Sequence, residues 1–220
     1  MKKILENLKK ELLENFSEII SIVHYGSTCS QNAERFRNIN VCVVFSEISP
    51  EIFEKLKKVV QKYVKKKVIF LILTLKHIKT SLDSFPLEFL DIKERHELIF
   101  GEDIFDSLSF DRENLRLEIE RQIKSLKVRL YQILLEEKSP RKIAFVLKQT
   151  LKSVIFCMKG FLYSYRGKSL FNSSDMDVLD EFSKEGMDLT IFKNFLQKKK
   201  IDFFHFLKKI EEIGDFFDQL

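Results

Sequence analysis

The residues that could do chemistry are concentrated in one stretch, HYGSTCSQNAERFRNINVCVVF, residues 24–45. The β-branched run EIISIVHY reads as a strand that ends at Gly26-Ser27. Ten residues separate Ser27 from Asn38, and a second apolar strand opens with Asn38-Ile39-Asn40. A glycine at a strand end lets the backbone come close to a phosphate group, and the amides and hydroxyl that follow can hold phosphate oxygens. Residues at i and i+2 of a strand point to the same face, so Asn38 and Asn40 form a side-by-side pair.

This arrangement resembles the signature of the polymerase-beta-type nucleotidyltransferase superfamily. In that family a strand leads to Gly-Ser, a helix follows, and the next strand carries Asp-x-Asp. The resemblance implies a nucleotide-binding role for Gly26, Ser27, Asn38 and Asn40. It implies nucleotidyl transfer in which two carboxylates bind paired magnesium ions, aligning a hydroxyl with the α-phosphate and stabilising the pyrophosphate. Here both carboxylate positions hold asparagine, a neutral carbonyl in place of a charge. Losing two negative charges weakens Mg2+ binding sharply and puts the two-metal route in question, although the nucleotide phosphates bring negative charge of their own.

The family's third acidic position falls on a later strand. Its match lies within SLDSFPLEFLDIK, where Asp83, Glu88 and Asp91 are the candidates. Glu88 is the first choice and Asp91 the second for a catalytic carboxylate. The alternative for each is a solvated or lysine-paired group near a strand end. For Gly26-Ser27 the alternative is an ordinary turn, and for the two asparagines a local turn or cap role.

Other constellations are weak. The histidines, His24, His77, His96 and His205, have no metal-ligand spacing among themselves or with cysteine, so no metal-binding residue is assigned. His24 beside the turn reads as a satisfied strand histidine before it reads as a nucleotide contact. Cys29 has no identifiable base, which argues against a nucleophile. No GxxxxGK[ST], GxGxxG or GxSxG segment occurs.

Several elements must position these residues. Ile4, Leu5, Leu8, Leu12, Leu13 and Phe16 have the spacing of an amphipathic helix over 2–16. After the two strands, Ser49-Pro50 reads as an N-cap and first-turn proline of a helix running to about Tyr63. VIFLILTL, apolar throughout, reads as a central strand. PLEFLDI reads as a fourth strand and ERHELIFGED as a short helix. From Asp111 the pattern turns wholly helical, with caps at Asp111, Ser139-Pro140 and Ser174 and stops at Gly167 and Gly186.

The expected fold class is α+β: residues 1–110 a nucleotidyltransferase-like mixed sheet with flanking helices, residues 111–220 a helical bundle. The helical half resembles the bundle that follows nucleotidyltransferase domains in aminoglycoside-modifying enzymes and the HEPN class. HEPN ribonucleases carry Arg-x4-6-His. The only histidine after residue 111 is His205, and Lys198, Lys199 and Lys200 stand where the arginine would be, so a ribonuclease reading is disfavoured.

Composition sets the outer limits. The 220 residues are 45% hydrophobic and 32% charged, enough for a real core in a globular chain. Three cysteines without a CxxC pair or a secretion signal predict reduced thiols and a cytoplasmic protein. No 18-residue apolar run exists, so no membrane association is expected. The net charge of +5 is too mild to predict nucleic acid as a partner, and the lysine runs at 65–67 and 198–200 read first as solvated surface. The expected function is a nucleotidyltransferase-fold protein that binds a nucleotide or related small molecule with weak or no catalysis. One alternative is active transfer of a nucleoside monophosphate from a triphosphate to a hydroxyl. The other is an antitoxin-like module that forms a homodimer or binds a protein partner through the helical half, suggested by the Phe-rich end DFFHFLKKIEEIGDFF.

Overall fold

A computed structural model describes residues 1–29 and 38–219. The chain divides into two compact units, Met1–Phe110 and Asp111–Leu220. The first contains α1 (Lys2–Asn15), β1 (Ile19–Tyr25), β2 (Ile39–Phe45), α2 (Pro50–Val64), β3 (Val68–Thr74), α3 (Leu75–Thr80), α4 (Pro86–Glu94) and β4 (His96–Gly101). The second contains α5 (Arg112–Glu136), α6 (Pro140–Arg166), α7 (Asp175–Phe182), α8 (Thr190–Leu196) and α9 (Phe203–Asp218), with a 3-10 turn at Ser183–Glu185.

The four strands form one mixed sheet in the order β3-β2-β1-β4. β1 runs antiparallel to both β2 and β4, while β2 and β3 are parallel. Alternation along the strands sorts their side chains into two cores. Ile22, Val41, Val43 and Phe45 face one way and bury Leu8, Leu12 and Phe16 at the α1 end with Leu56, Val59 and Tyr63 of α2. Val23, Cys42 and Val44 face the other way and bury Ile78 of α3, Phe89 and Ile92 of α4, and Phe105.

Three expectations need correction. VIFLILTL forms β3, an edge strand rather than a central one, and Ile69 is 46% exposed on it. An apolar run feeding one neighbour and one partly covered face looks, in sequence, like a run covered on both sides. PLEFLDI is helix α4, not a strand: Pro86 occupies its first turn, and Phe89 and Ile92 at i, i+3 reach the sheet core. HELIFG is strand β4, not a helix. It ends at Gly101, whose φ is +81° and where a Cβ would lie 1.9 Å from the Ile20 carbonyl oxygen, so only glycine lets the edge close on β1.

In the helical unit, the Asp111 carboxylate accepts from the backbone N–H groups of Glu113 (2.9 Å) and Asn114 (3.1 Å) and so starts α5. α6 starts at Pro140 and stops at Gly167, which adopts the left-handed conformation at φ 62°. Leu147, Leu151, Val154, Ile155, Met158, Phe161 and Leu162 of α6 are buried, which makes it the central helix. Phe161 meets Phe216, Phe182 and Phe217 edge-on at 5.3, 5.4 and 5.8 Å and stacks on Tyr165 at 5.0 Å.

Candidate functional site

The site is built where β1 stops. Gly26 has φ +83°, and a Cβ there would lie 2.9 Å from Nδ2 of Asn40, so a side chain is excluded on two counts. Its N–H donates to the Arg95 carbonyl at the end of α4 (2.7 Å), and its own carbonyl accepts from the Cys29 N–H (3.0 Å). The second bond closes a four-residue turn, Gly26-Ser27-Thr28-Cys29.

His24 underpins that turn. Its ring is fully buried, with Nε2 2.8 Å from the Thr28 hydroxyl and Nδ1 3.4 Å from the Cys29 sulfur. The Cys29 thiol also donates to the His24 carbonyl at 3.2 Å. Burial lowers the His24 pKa below the ordinary histidine value, and the Glu97 carboxylate 3.9 Å from Nδ1 acts the other way. Burial is the larger effect, and the imidazole is neutral near pH 7. Burial, then the charge of Glu97, pushes the Cys29 thiol up to about 12 against a smaller opposing pull from Arg95. Cys29 is therefore a thiol and not a nucleophile at neutral pH.

The opposite face of the sheet carries the polar groups. Tyr25 pairs in register with Asn40, and both lie on the face of Cys42, against which α4 packs. Burial, followed by the nearby Cys42 and Asp91, pushes the Tyr25 hydroxyl up to about 12. Asp91, in the last turn of α4, accepts from Arg95 Nε (2.8 Å) and Nη2 through one carboxylate oxygen. Both side chains of the pair are mostly buried.

Of the residues singled out in the sequence, the structure brings Gly26, Ser27, Asn40 and Asp91 to one neighbourhood. Asn38 stands exposed, one residue ahead of β2. Glu88 is exposed in the first turn of α4, on a helix rather than a strand; seven residues before Arg95, it is about 10 Å back along the axis. Asp83 is exposed in the segment before that helix. The polar stretch STCSQNAERF, whose first turn reads as helical, begins at Ser27, and residues 30–37 lie outside the described residues. Sequence reasoning missed Thr28, Arg95 and Glu97. Thr28 had a signal in its place after Gly-Ser; the other two had none while β4 was read as a helix.

Among the described residues, no group of three or more His, Cys, Asp and Glu side chains is arranged to hold a metal ion. The neutral carboxamide of Asn40 and the Asp91 carboxylate, already clasped by an arginine, do not fit a pair of magnesium ions.

No family model and no curated protein matches the sequence. Solved structures do. Spectinomycin adenyltransferase AAD(9) from Enterococcus faecialis, solved with ATP and spectinomycin, superposes with a TM-score of 0.62 at 10% identity, covering 99% of this chain and 99% of that one. The chain has a nucleotidyltransferase fold. The match covers residues of the sheet and of the helices alike. A toxin–antitoxin MntA–HpeT mutant matches 55% of this chain and 90% of its own, with a TM-score of 0.35 at 14% identity. The tri-AMPylated Shewanella oneidensis HEPN toxin in complex with MNT antitoxin gives 0.34 at 14%, over 56% and 90%. These two scores add nothing to the fold assignment. No helix among the described residues is long and apolar enough to cross a membrane.

Proposed function

We propose that this protein binds a nucleotide, in the first instance a nucleoside triphosphate, at the Gly26–Cys29 turn, and that its nucleotidyl transfer is weak or absent. One observation carries the reading. Asn40 is packed against Gly26, which puts a neutral carboxamide where the resemblance calls for a metal-binding carboxylate. The turn keeps the glycine and hydroxyl chemistry that suits phosphate, and the wall beside it has lost the charge that suits magnesium. The fold shared with an adenyltransferase solved with ATP supports the ligand class. The three free cysteines, two of them buried, support a reducing cytoplasmic setting.

Transfer to a hydroxyl acceptor would need Glu88 or Asp91 to hold metal. Glu88 is exposed in the first turn of α4 and Asp91 is engaged by Arg95. Calorimetric titration with each of the four ribonucleoside triphosphates, with and without Mg2+, tests the reading. The wild type is expected to bind at least one of them without turning it over. No binding to any triphosphate overturns nucleotide recognition, and rapid magnesium-dependent transfer by the unmodified protein overturns the loss of catalysis.

A further inference from the structure

A triphosphate bound at this turn is a polyanion whose charge must be met. In a site with paired carboxylates, magnesium meets it. Here the two carboxylates are gone, so the wall beside Gly26 repels phosphate less and attracts a metal less. Among the described residues, the cation whose charge acts on the turn is Arg95. Its backbone carbonyl takes the Gly26 N–H at 2.7 Å, so guanidinium and turn are tied to the same point of the chain. The side chain is 16% exposed.

Asp91 holds the Arg95 guanidinium. Nε and Nη2 both donate to Asp91 Oδ1. A guanidinium has five N–H donors. With two used, three remain, and among the described residues they have no protein acceptor. A planar fork with donors to spare is the group best matched to phosphate oxygens. The plainer role is an i, i+4 ion pair at the end of α4. That role alone requires neither the bond to Gly26 nor burial beside a turn suited to phosphate.

We propose that Arg95 supplies the counter-charge for the nucleotide's phosphates at this turn in place of magnesium, with Asp91 as the residue that positions its guanidinium. The inference rests on nucleotide binding at the Gly26–Cys29 turn, and the experiment separates the two.

ATP is titrated into the full chain in EDTA and again in Mg2+. The proteins are the wild type, Arg95→Gln, Arg95→Lys, Asp91→Asn and the double variant Asn38→Asp/Asn40→Asp, each first checked for an intact unfolding transition. The wild type is expected to bind ATP in EDTA, with Mg2+ changing the affinity little. Arg95→Gln is expected to weaken metal-free binding about tenfold to a hundredfold, the span of a lost hydrogen bond to a charged group. Arg95→Lys keeps the charge but not the fork, and falls between. Asp91→Asn weakens binding less than Arg95→Gln. The asparagine-to-aspartate double variant loses metal-free affinity and recovers it with Mg2+. Wild-type binding that requires Mg2+, or folded Arg95→Gln and Arg95→Lys proteins that bind ATP in EDTA as the wild type does, overturns the role of Arg95 while leaving nucleotide binding standing. No ATP bound by the wild type in either buffer removes the nucleotide reading, and the Arg95 inference with it.

Discussion

Gly26 is constrained twice over, by its φ of +83° and by Asn40 Nδ2 at 2.9 Å from where a methyl group would sit. The two constraints can be separated. Gly26→Ala is expected to destabilise the protein by about 1–3 kcal/mol through the strained backbone and the clash together. Gly26→Ala in an Asn40→Ala background should recover the clash component and leave the backbone cost. Urea unfolding of the two single variants and the double variant measures both. Equal losses with and without Asn40 would show that the contact with Asn40 carries no energy. His24 makes a second claim at this scale. Its folded pKa is lowered, so the unfolded chain binds the extra proton first and stability falls with pH below about 6.5. The urea midpoint of the wild type should therefore drop between pH 7 and pH 5.5 by more than that of His24→Gln. Parallel pH curves would show that the buried ring does not carry the effect. Gly26, Ser27 and Asn40 were legible as neighbours because the pattern that marks them is local in sequence; Asn38, from the same pattern, stands exposed ahead of β2. Arg95 was not legible, since its place beside the turn depends on how a distant helix ends.

That helix is where sequence reading failed at the scale of elements. PLEFLDIKERHELIFG contains apolar residues that fit a period of two or of 3.6 over so short a span. What decides it is punctuation. Pro86 can open a helix but cannot donate in a central ladder, and Gly101 supplies the positive φ that closes β4 on β1. The consequence for chemistry is direct: with a helix over 86–94, Asp91 lies one turn before Arg95 and pairs with its guanidinium, while Glu88 lies in the first turn. The helix also sorts two adjacent side chains into opposite roles. Phe89 is buried under the sheet and Glu88 is exposed. Phe89→Ala should cost about 3–5 kcal/mol, and Glu88→Ala should stay within about 0.5 kcal/mol of wild type in stability. Glu88→Gln should also leave ATP affinity unchanged where Asp91→Asn lowers it. A loss of affinity in Glu88→Gln equal to that in Asp91→Asn would restore Glu88 as a site residue. By contrast, β1, β2 and α2 were readable from the chain alone, because β-branched runs and the Ser49-Pro50 start each admit one period and one cap.

At the scale of the molecule, the boundary between Phe110 and Asp111 coincides with a helix cap, so a chain beginning at Asp111 keeps the carboxylate that starts α5. The segment that follows has a core of its own, built on α6 and the phenyl cluster around Phe161. About 110 residues is a size at which a single hydrophobic core suffices for cooperative folding. Residues 111–220 expressed alone should therefore show a helical far-UV spectrum and one sigmoidal urea transition. Phe161 tests whether that transition reports a packed interior. It touches four other rings, and truncation to alanine leaves all four facing a void, a loss of about 3–5 kcal/mol. Against a total of about 5–15 kcal/mol for a small domain, that is enough to move the midpoint far toward water or to remove the transition. A broad, non-cooperative loss of helix in the unmodified fragment would mean that the core around α6 does not suffice on its own. A sharp transition in the fragment that Phe161→Ala leaves in place would mean that its stability comes from elsewhere than the phenyl cluster.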